Sequence, residues 1–188
     1  MNFKEYQKLA LSTARFLATP LEDFQHGATG VVTEIAEIID VHKRTAYYDT
    51  ELNITNLKEE IGDVLWYLAL IEHSMLQSNR LDTKVSFINE NITIEQILTR
   101  LVTGAADLYY YSHFNEKNYM VNAEVVMDSI YTLFEFLKEY ARRIGTDIES
   151  EMKNNIEKLA KRYPEGFTNY HAVNRDTENE LSHFNNTV

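Results

Sequence analysis

Apolar residues recur along most of the chain at the three- and four-residue spacing of a helix face, in segments too long for a many-stranded fold. Tyr6, Leu9, Ala10, Ala14 and Leu17 share one such face and predict a first helix over residues 3 to 17, stopped by Pro20. Thr19-Pro20-Leu21-Glu22 has the form of a capping box with proline at the first helical position. It predicts a short segment leading into Gly27 and Gly30, followed by a long helix over about 28 to 44. Val31, Ile35, Ile38, Ile39 and His42 form the apolar stripe of that helix.

Residues 45 to 55 read as a loop. Asn56, with Glu59 three positions later, is the expected N-cap of a helix carried to about residue 75 by Leu57, Ile61, Val64, Leu65, Leu68 and Ile71. Residues 76 to 91 are polar and aperiodic and read as a second loop. The box Thr93-Ile94-Glu95-Gln96 opens two further helices, over about 94 to 113 and 122 to 143. Gly145 is a natural helix stop, and Thr146-Asp147-Ile148-Glu149 launches a last helix to Tyr163, ended by Pro164. The remainder, 165 to 188, is a polar tail with partial order. The pattern as a whole predicts a single all-α domain, a helical bundle.

Composition agrees with that architecture and narrows the chemistry. The 188 residues are 44% apolar and 12% aromatic, with only 6 Gly and 2 Pro, enough to bury a core in one domain. No stretch approaches the run of about 18 apolar residues that a membrane span requires, and Met1-Asn2-Phe3-Lys4-Glu5 lacks a basic-then-apolar leader pattern. A cytoplasmic protein without a membrane partner is expected. A formal charge of −11 and the lack of an extensive basic cluster argue against a nucleic-acid partner. Without cysteine, a metal must be held by carboxylates, histidine or water, a donor set that favours hard cations such as Mg2+.

Two acid pairs carry the candidate chemistry. Glu34 with Glu37, and Glu60 with Asp63, are each three residues apart on a predicted helix, so each pair projects from one face. Such pairs are common on solvated helices. Here, however, Glu60 and Asp63 sit inside the stretch from Leu57 to Leu68, where the acids border a very apolar stripe and Gly62 permits close approach. Two such edges facing each other make a four-carboxylate cage, whose self-repulsion is relieved by a divalent cation, with Mg2+ the expected occupant and Mn2+ a substitute.

Glu34-x-x-Glu37, a gap of 22 residues and Glu60-x-x-Asp63 resemble the signature of the MazG-like all-α nucleotide pyrophosphohydrolases. His26-Gly27-Ala28-Thr29-Gly30, the run from Glu59 to Ala69, the stretch from Asn155 to Phe167 and Asn174-Arg175-Asp176 are similar to the phrasing of phage and bacterial members. Ala36 stands where that family often has glycine. The resemblance implies a Mg2+-dependent attack of water on the α-phosphorus of a nucleoside triphosphate, giving a nucleoside monophosphate and pyrophosphate. Glu34, Glu37, Glu60 and Asp63 would be both metal ligands and catalytic groups. It also implies a homodimer or homotetramer.

The same resemblance points to substrate-binding residues, each with a plainer alternative. Lys158 and Arg162 would receive outer phosphates, or form a solvated basic face. Asn155 would contact a ligand, or bond locally; Trp66 would stack on a base, or pack in the core; His26 would line the pocket, or be structural. Lys43, with Arg44, is a weaker phosphate candidate that equally suits a helix C-terminus. Tyr109, Tyr110 and Tyr111 could face nucleotide or a neighbouring subunit. Phosphoribosyl-ATP and alarmones are alternative substrates, and a non-catalytic nucleotide-binding or interaction protein is the rival of another class. A di-iron bundle needs Glu-x-x-His motifs, to which only Asp23-x-x-His26 comes near.

Set against the family it resembles, residues 73 to 143 read as an insertion relative to the compact members, and its two helices align with the first pair. Thr103 to Asp107 falls on Thr33 to Glu37, and Asp128 to Phe134 on Glu60 to Trp66. Gly104 then replaces Glu34 and Tyr131 replaces Asp63, as in a degenerate repeat or as in any two amphipathic helices aligned by chance.

Overall fold

The computed structural model describes residues 1–75, 88, 91–114, 123–174 and 180. Among these the chain is all-α, with seven α-helices and no strand. The expected loop over 76 to 91 falls almost wholly outside the described residues, as do Arg175 and Asp176.

Helix α1 (Phe3–Ala10) starts at an Asn2 capping box and gives way to a 3-10 turn over Leu11–Thr13. It is shorter than its apolar face predicts. The hydroxyls of Ser12 and Thr13 bond back to the Leu9 and Ala10 carbonyls, the local competition that makes these residues poor helix interiors. The chain then runs without regular structure to Thr19, whose capping box with Glu22 and Pro20 at the first turn starts α2 (Pro20–Tyr48) as expected.

α2 is one continuous helix of 29 residues, with no break at Gly27 or Gly30. Both glycines are needed for packing. A Cβ on Gly30 would run into the Tyr67 ring, and one on Gly27 would meet Ile71. The two helices therefore cross closely enough to offset the helix-propensity cost of about 1 kcal/mol per glycine. These contacts also set direction, since three steps forward along α2 correspond to four back along α3 (Ile54–Ser74). The antiparallel turn between them is short. α2 persists to Tyr48, is capped by Asp49 in the left-handed region at φ 53°, and α3 starts at an Asn53 cap, three residues before the expected Asn56.

α4 (Ile94–His113) begins at the expected Thr93 box, and α5 (Ala123–Arg143) follows within a residue of its expected start. Gln25 donates to the Ser112 carbonyl, while His42 lies near Glu95, so α4 runs antiparallel to α2. The α2–α3 and α4–α5 hairpins pack into one four-helix bundle, α2 against α4 and α3 against α5. The core is the apolar stripe of each: Val31, Ile35 and Ile38; Ile61, Leu65 and Leu68; Leu101 and Leu108; Ile130 and Leu137. In the second hairpin Gly104 packs against Leu133, and the counterparts of the retained acids, Asp107 and Asp128, are exposed.

α6 (Ile148–Arg162), capped by Asp147 rather than by Thr146, lies with α1 against the outer side of α3. Gly145, at φ 86°, makes the turn into it. α7 (Asn169–Val173) follows after a turn at Pro164 to Gly166. No helix among the described residues is long and apolar enough to cross a membrane.

Candidate metal centre and cleft

The antiparallel crossing of α2 and α3 puts the two acid pairs opposite each other. Glu34 and Glu37 flank the buried stripe of α2, and Glu60 flanks that of α3. One carboxylate oxygen from each of these three residues lies within 4.8 Å of the other two. Glu60 is buried, Glu34 half-buried and Glu37 exposed, so the cluster opens from the helix interface toward solvent.

Three carboxylates this close resist full ionisation. Burial raises the Glu34 carboxyl to about 7, with Asp63 and Glu37 adding repulsion and a hydrogen bond to Glu60 partly offsetting them. Glu60 is raised further, to about 9, by burial and then by Asp63, Glu37, Glu59 and Glu34. The Asn56 amide donates to Glu60 Oε1 at 2.5 Å. Asn56 therefore serves the cluster from inside α3 rather than capping the helix.

Asp63 stands beside this group but is engaged differently. Lys158 Nζ lies 2.5 and 2.6 Å from its two oxygens, and Asn155 Nδ2 donates to Oδ1 at 3.1 Å. Lys158 has no exposed surface and reaches Glu59 as well, at 3.4 Å. Asn155 is in turn held by the buried Tyr6 hydroxyl, which donates to its Oδ1 at 2.8 Å. Gly62 allows this approach, because a Cβ there would stand 3.0 Å from Asn155 Cβ. The structure thus gathers three of the four expected ligands into one cluster and gives the fourth a buried counter-ion. Lys158 and Asn155 sit behind the acids, on α6, and hold Asp63. The spacing of Lys158 and Arg162 could not reveal that only Arg162 reaches the cleft.

The cleft in front of the acids has a volume of about 640 Å3. Glu34, Glu37, Glu59, Glu60 and Asp63 line one side; Arg15, Arg162, Tyr163 and Phe167 contribute to the rest, with His26, Trp66 and Tyr67 as an aromatic wall. Trp66 and Tyr67 meet edge-on at 5.1 Å, His26 stands edge-on to Tyr67 at 5.6 Å, and the Trp66 indole is pinned by Nε1 donating to the Ala10 carbonyl. Burial lowers the His26 pKa, opposed in part by Asp23. Burial, followed by the charges of Glu34 and Asp63, pushes the Tyr67 phenol up to about 12. Both rings are therefore held toward their neutral forms.

Lys43 does not line this cleft. It pairs with Asp40 one turn back on α2, as does Arg44 at 2.5 Å. Tyr109 and Tyr110 are exposed and also lie outside the cleft, with Tyr110 stacked on Phe114. Asp23 accepts from the Leu17 backbone and is not part of the carboxylate cluster, so among the described residues no Glu-x-x-His type metal set forms. Arg15 and Phe167 are cleft residues that the helix pattern missed. Arg15 sits in the irregular stretch that replaces the expected end of α1.

No known protein family, curated protein or solved structure matches the chain.

Proposed function

We propose that this chain is a Mg2+-dependent nucleoside triphosphate pyrophosphohydrolase of MazG-like type, releasing a nucleoside monophosphate and pyrophosphate by attack of water at the α-phosphorus. The observation that carries the reading is the convergence of Glu34, Glu37 and Glu60 from two facing helices at the mouth of a cleft that also holds arginines and aromatic rings. An oxygen-only donor set of this kind suits Mg2+. The carboxyls of Glu34 and Glu60 are raised by burial and by their acidic neighbours, and buried acids that repel one another are the groups a divalent cation would relieve.

Glu34, Glu37 and Glu60 would hold the cation. When bound, Mg2+ supplies charge neutralisation at phosphate oxygens as the phosphorus is attacked. The rest is done by the chain. Lys158 and Asn155 fix Asp63, so the fourth acid lines the cleft beside the cluster in a single orientation. The amide of Asn56 fixes Glu60 in the same way. The wall of His26, Trp66 and Tyr67 offers flat apolar surface to a nucleobase, and its rings are already braced against each other.

The test is to incubate the pure protein with each NTP and dNTP, with and without Mg2+, and to identify the phosphate product. Pyrophosphate that forms only with Mg2+ and is lost in Glu60→Gln supports the reading. Orthophosphate as the product, or turnover indifferent to Glu60→Gln, rejects it.

A further inference from the structure

The cleft is bounded in part by a segment that the rest of the fold barely holds. Phe167, Asn169 and Ala172, in α7 and the residues leading into it, line the cleft together with Arg15 and Leu17 of the irregular stretch after the 3-10 turn. The two sides are anchored unequally. The irregular stretch is tied to α2 by the Leu17 backbone N–H, which donates to Asp23 Oδ1 at 2.8 Å. Phe167, Tyr170 and Ala172, by contrast, lie outside the hydrophobic core, and Tyr170 is exposed. The side-chain hydrogen bonds within this segment are local, from the Thr168 cap and the Asn174 amide. Among the described residues, a single hydrogen bond joins residues 167–174 to another part of the fold: Arg15 Nη1 donates to Asn169 Oδ1 at 3.1 Å. Between α6 and α7 the chain turns at Pro164 to Gly166, with the Tyr163 and Phe167 rings 5.5 Å apart across the turn. Gly166 has φ 92°, and a Cβ there would meet nothing within 4 Å. A left-handed glycine with no neighbour packed on it is a place where backbone can swing at little steric cost.

We propose that α7 is a lid on the cleft, hinged at Pro164 to Gly166 and latched by the Arg15–Asn169 hydrogen bond. The structure holds it latched, with Phe167 and Ala172 against the cleft. Releasing the latch costs one hydrogen bond and exposes no core residue of the bundle, so the cleft opens by a local motion rather than by unfolding. Latched, the lid keeps water from part of the cleft that holds the acid cluster, where charges then act more strongly on a bound ligand. The inference goes beyond the pyrophosphohydrolase reading and does not depend on which ligand the cleft takes.

The protein carries its own reporter, because its one tryptophan, Trp66, lines the cleft. Its indole is pinned to the Ala10 carbonyl and not to α7, so a change in its exposure reports the lid. Acrylamide quenching of Trp66 fluorescence is measured on the full chain, wild type against Asn169→Ala. Loss of one hydrogen bond to a charged group should raise the open-to-closed ratio by about tenfold, and the quenching constant should rise while the thermal melt stays unchanged. A second protein carries Arg15→Cys with Asn169→Cys and is joined by a short bis-maleimide, which reacts at these two positions because the chain has no cysteine of its own. Before crosslinking it should quench like Asn169→Ala, and after crosslinking its constant should fall to the wild-type value or below. If Asn169→Ala melts early, the crosslinking comparison, made within one protein, decides. Equal quenching of wild type and Asn169→Ala with an unchanged melt, or a constant that crosslinking leaves as it was, would overturn the lid. Hydrolysis is scored separately, so a protein that cleaves no nucleotide but shows these shifts would refute the enzyme reading and leave the lid standing.

Discussion

Replacing Lys158 by methionine keeps most of the side-chain volume and removes the cation that pairs with Asp63 and Glu59 behind the acids. Lys158 Nζ has no solvent exposure and lies 2.5 and 2.6 Å from the Asp63 oxygens and 3.4 Å from Glu59. Removing one partner of a buried ion pair costs about 3–5 kcal/mol, because the other charge is left behind without compensation. The Asp63 side chain keeps 20% of its surface in solvent and Glu59 keeps 9%, so water recovers part of the loss and the lower end, about 3 kcal/mol, is expected. For a domain of this size that corresponds to a fall in Tm of about 6–12 °C. Urea unfolding followed by circular dichroism gives the value directly, provided the m-value is unchanged. Adding Asp63→Asn should recover part of the loss, so the double mutant is more stable than the sum of the singles predicts. A Lys158→Met cost below about 1 kcal/mol, or strict additivity with Asp63→Asn, would show that the lysine is not a buried counter-ion and would refute the reasoning.

Gly30→Ala puts a methyl into the Tyr67 ring at the tightest point of the α2–α3 crossing and should lower stability by about 1–3 kcal/mol in a thermal melt, whereas a helix-propensity effect alone would raise it. Tyr6→Phe strands the buried Asn155 Oδ1 and should cost about 1–3 kcal/mol; an unchanged melt would mean that the hydroxyl does not hold Asn155. Glu34 and Glu60 have raised carboxyls in the folded, metal-free protein, so the fold binds more protons than the unfolded chain above the ordinary value of 4.5 and up to about 7 and about 9 respectively. Their stabilising effect is complete below 4.5 and is lost as pH rises through that window. In EDTA the stability of wild type relative to Glu60→Gln should therefore fall with rising pH, and Mg2+ should restore it; a difference independent of pH would refute the shift.

The helices were legible where an apolar stripe coincides with a local stop or start. Thr19, Thr93 and Gly145 act where their chemistry suggests, and the stripes of α2 and α3 are buried as their spacing demands. Gly27 and Gly30 misread as a break because their reason is tertiary: they make room for side chains of α3. The end of α1 was missed for the opposite reason, a purely local one, since the Ser12 and Thr13 hydroxyls take over carbonyls that a helix would use. At the site, three-residue spacing identified the acids but could not tell which carboxylates would meet. Glu60 turns to Glu34 and Glu37, while Asp63 meets a lysine some ninety-five residues away. That contact depends on how α6 docks on α3, which no motif within either helix encodes. Arg15 carries no periodic signal at all. It is in the cleft because the chain between the 3-10 turn and Thr19 is not helical.

The central claim, that Glu34, Glu37 and Glu60 hold a divalent cation, is tested most directly by titrating the protein with Mn2+ and following free and bound ion by electron paramagnetic resonance. The account predicts saturable binding in wild type, its loss in Glu60→Gln, and its retention in Asp40→Asn, whose carboxylate is committed to Lys43 and Arg44 on α2. Equal binding by wild type and Glu60→Gln, or no saturable binding at all, would contradict it.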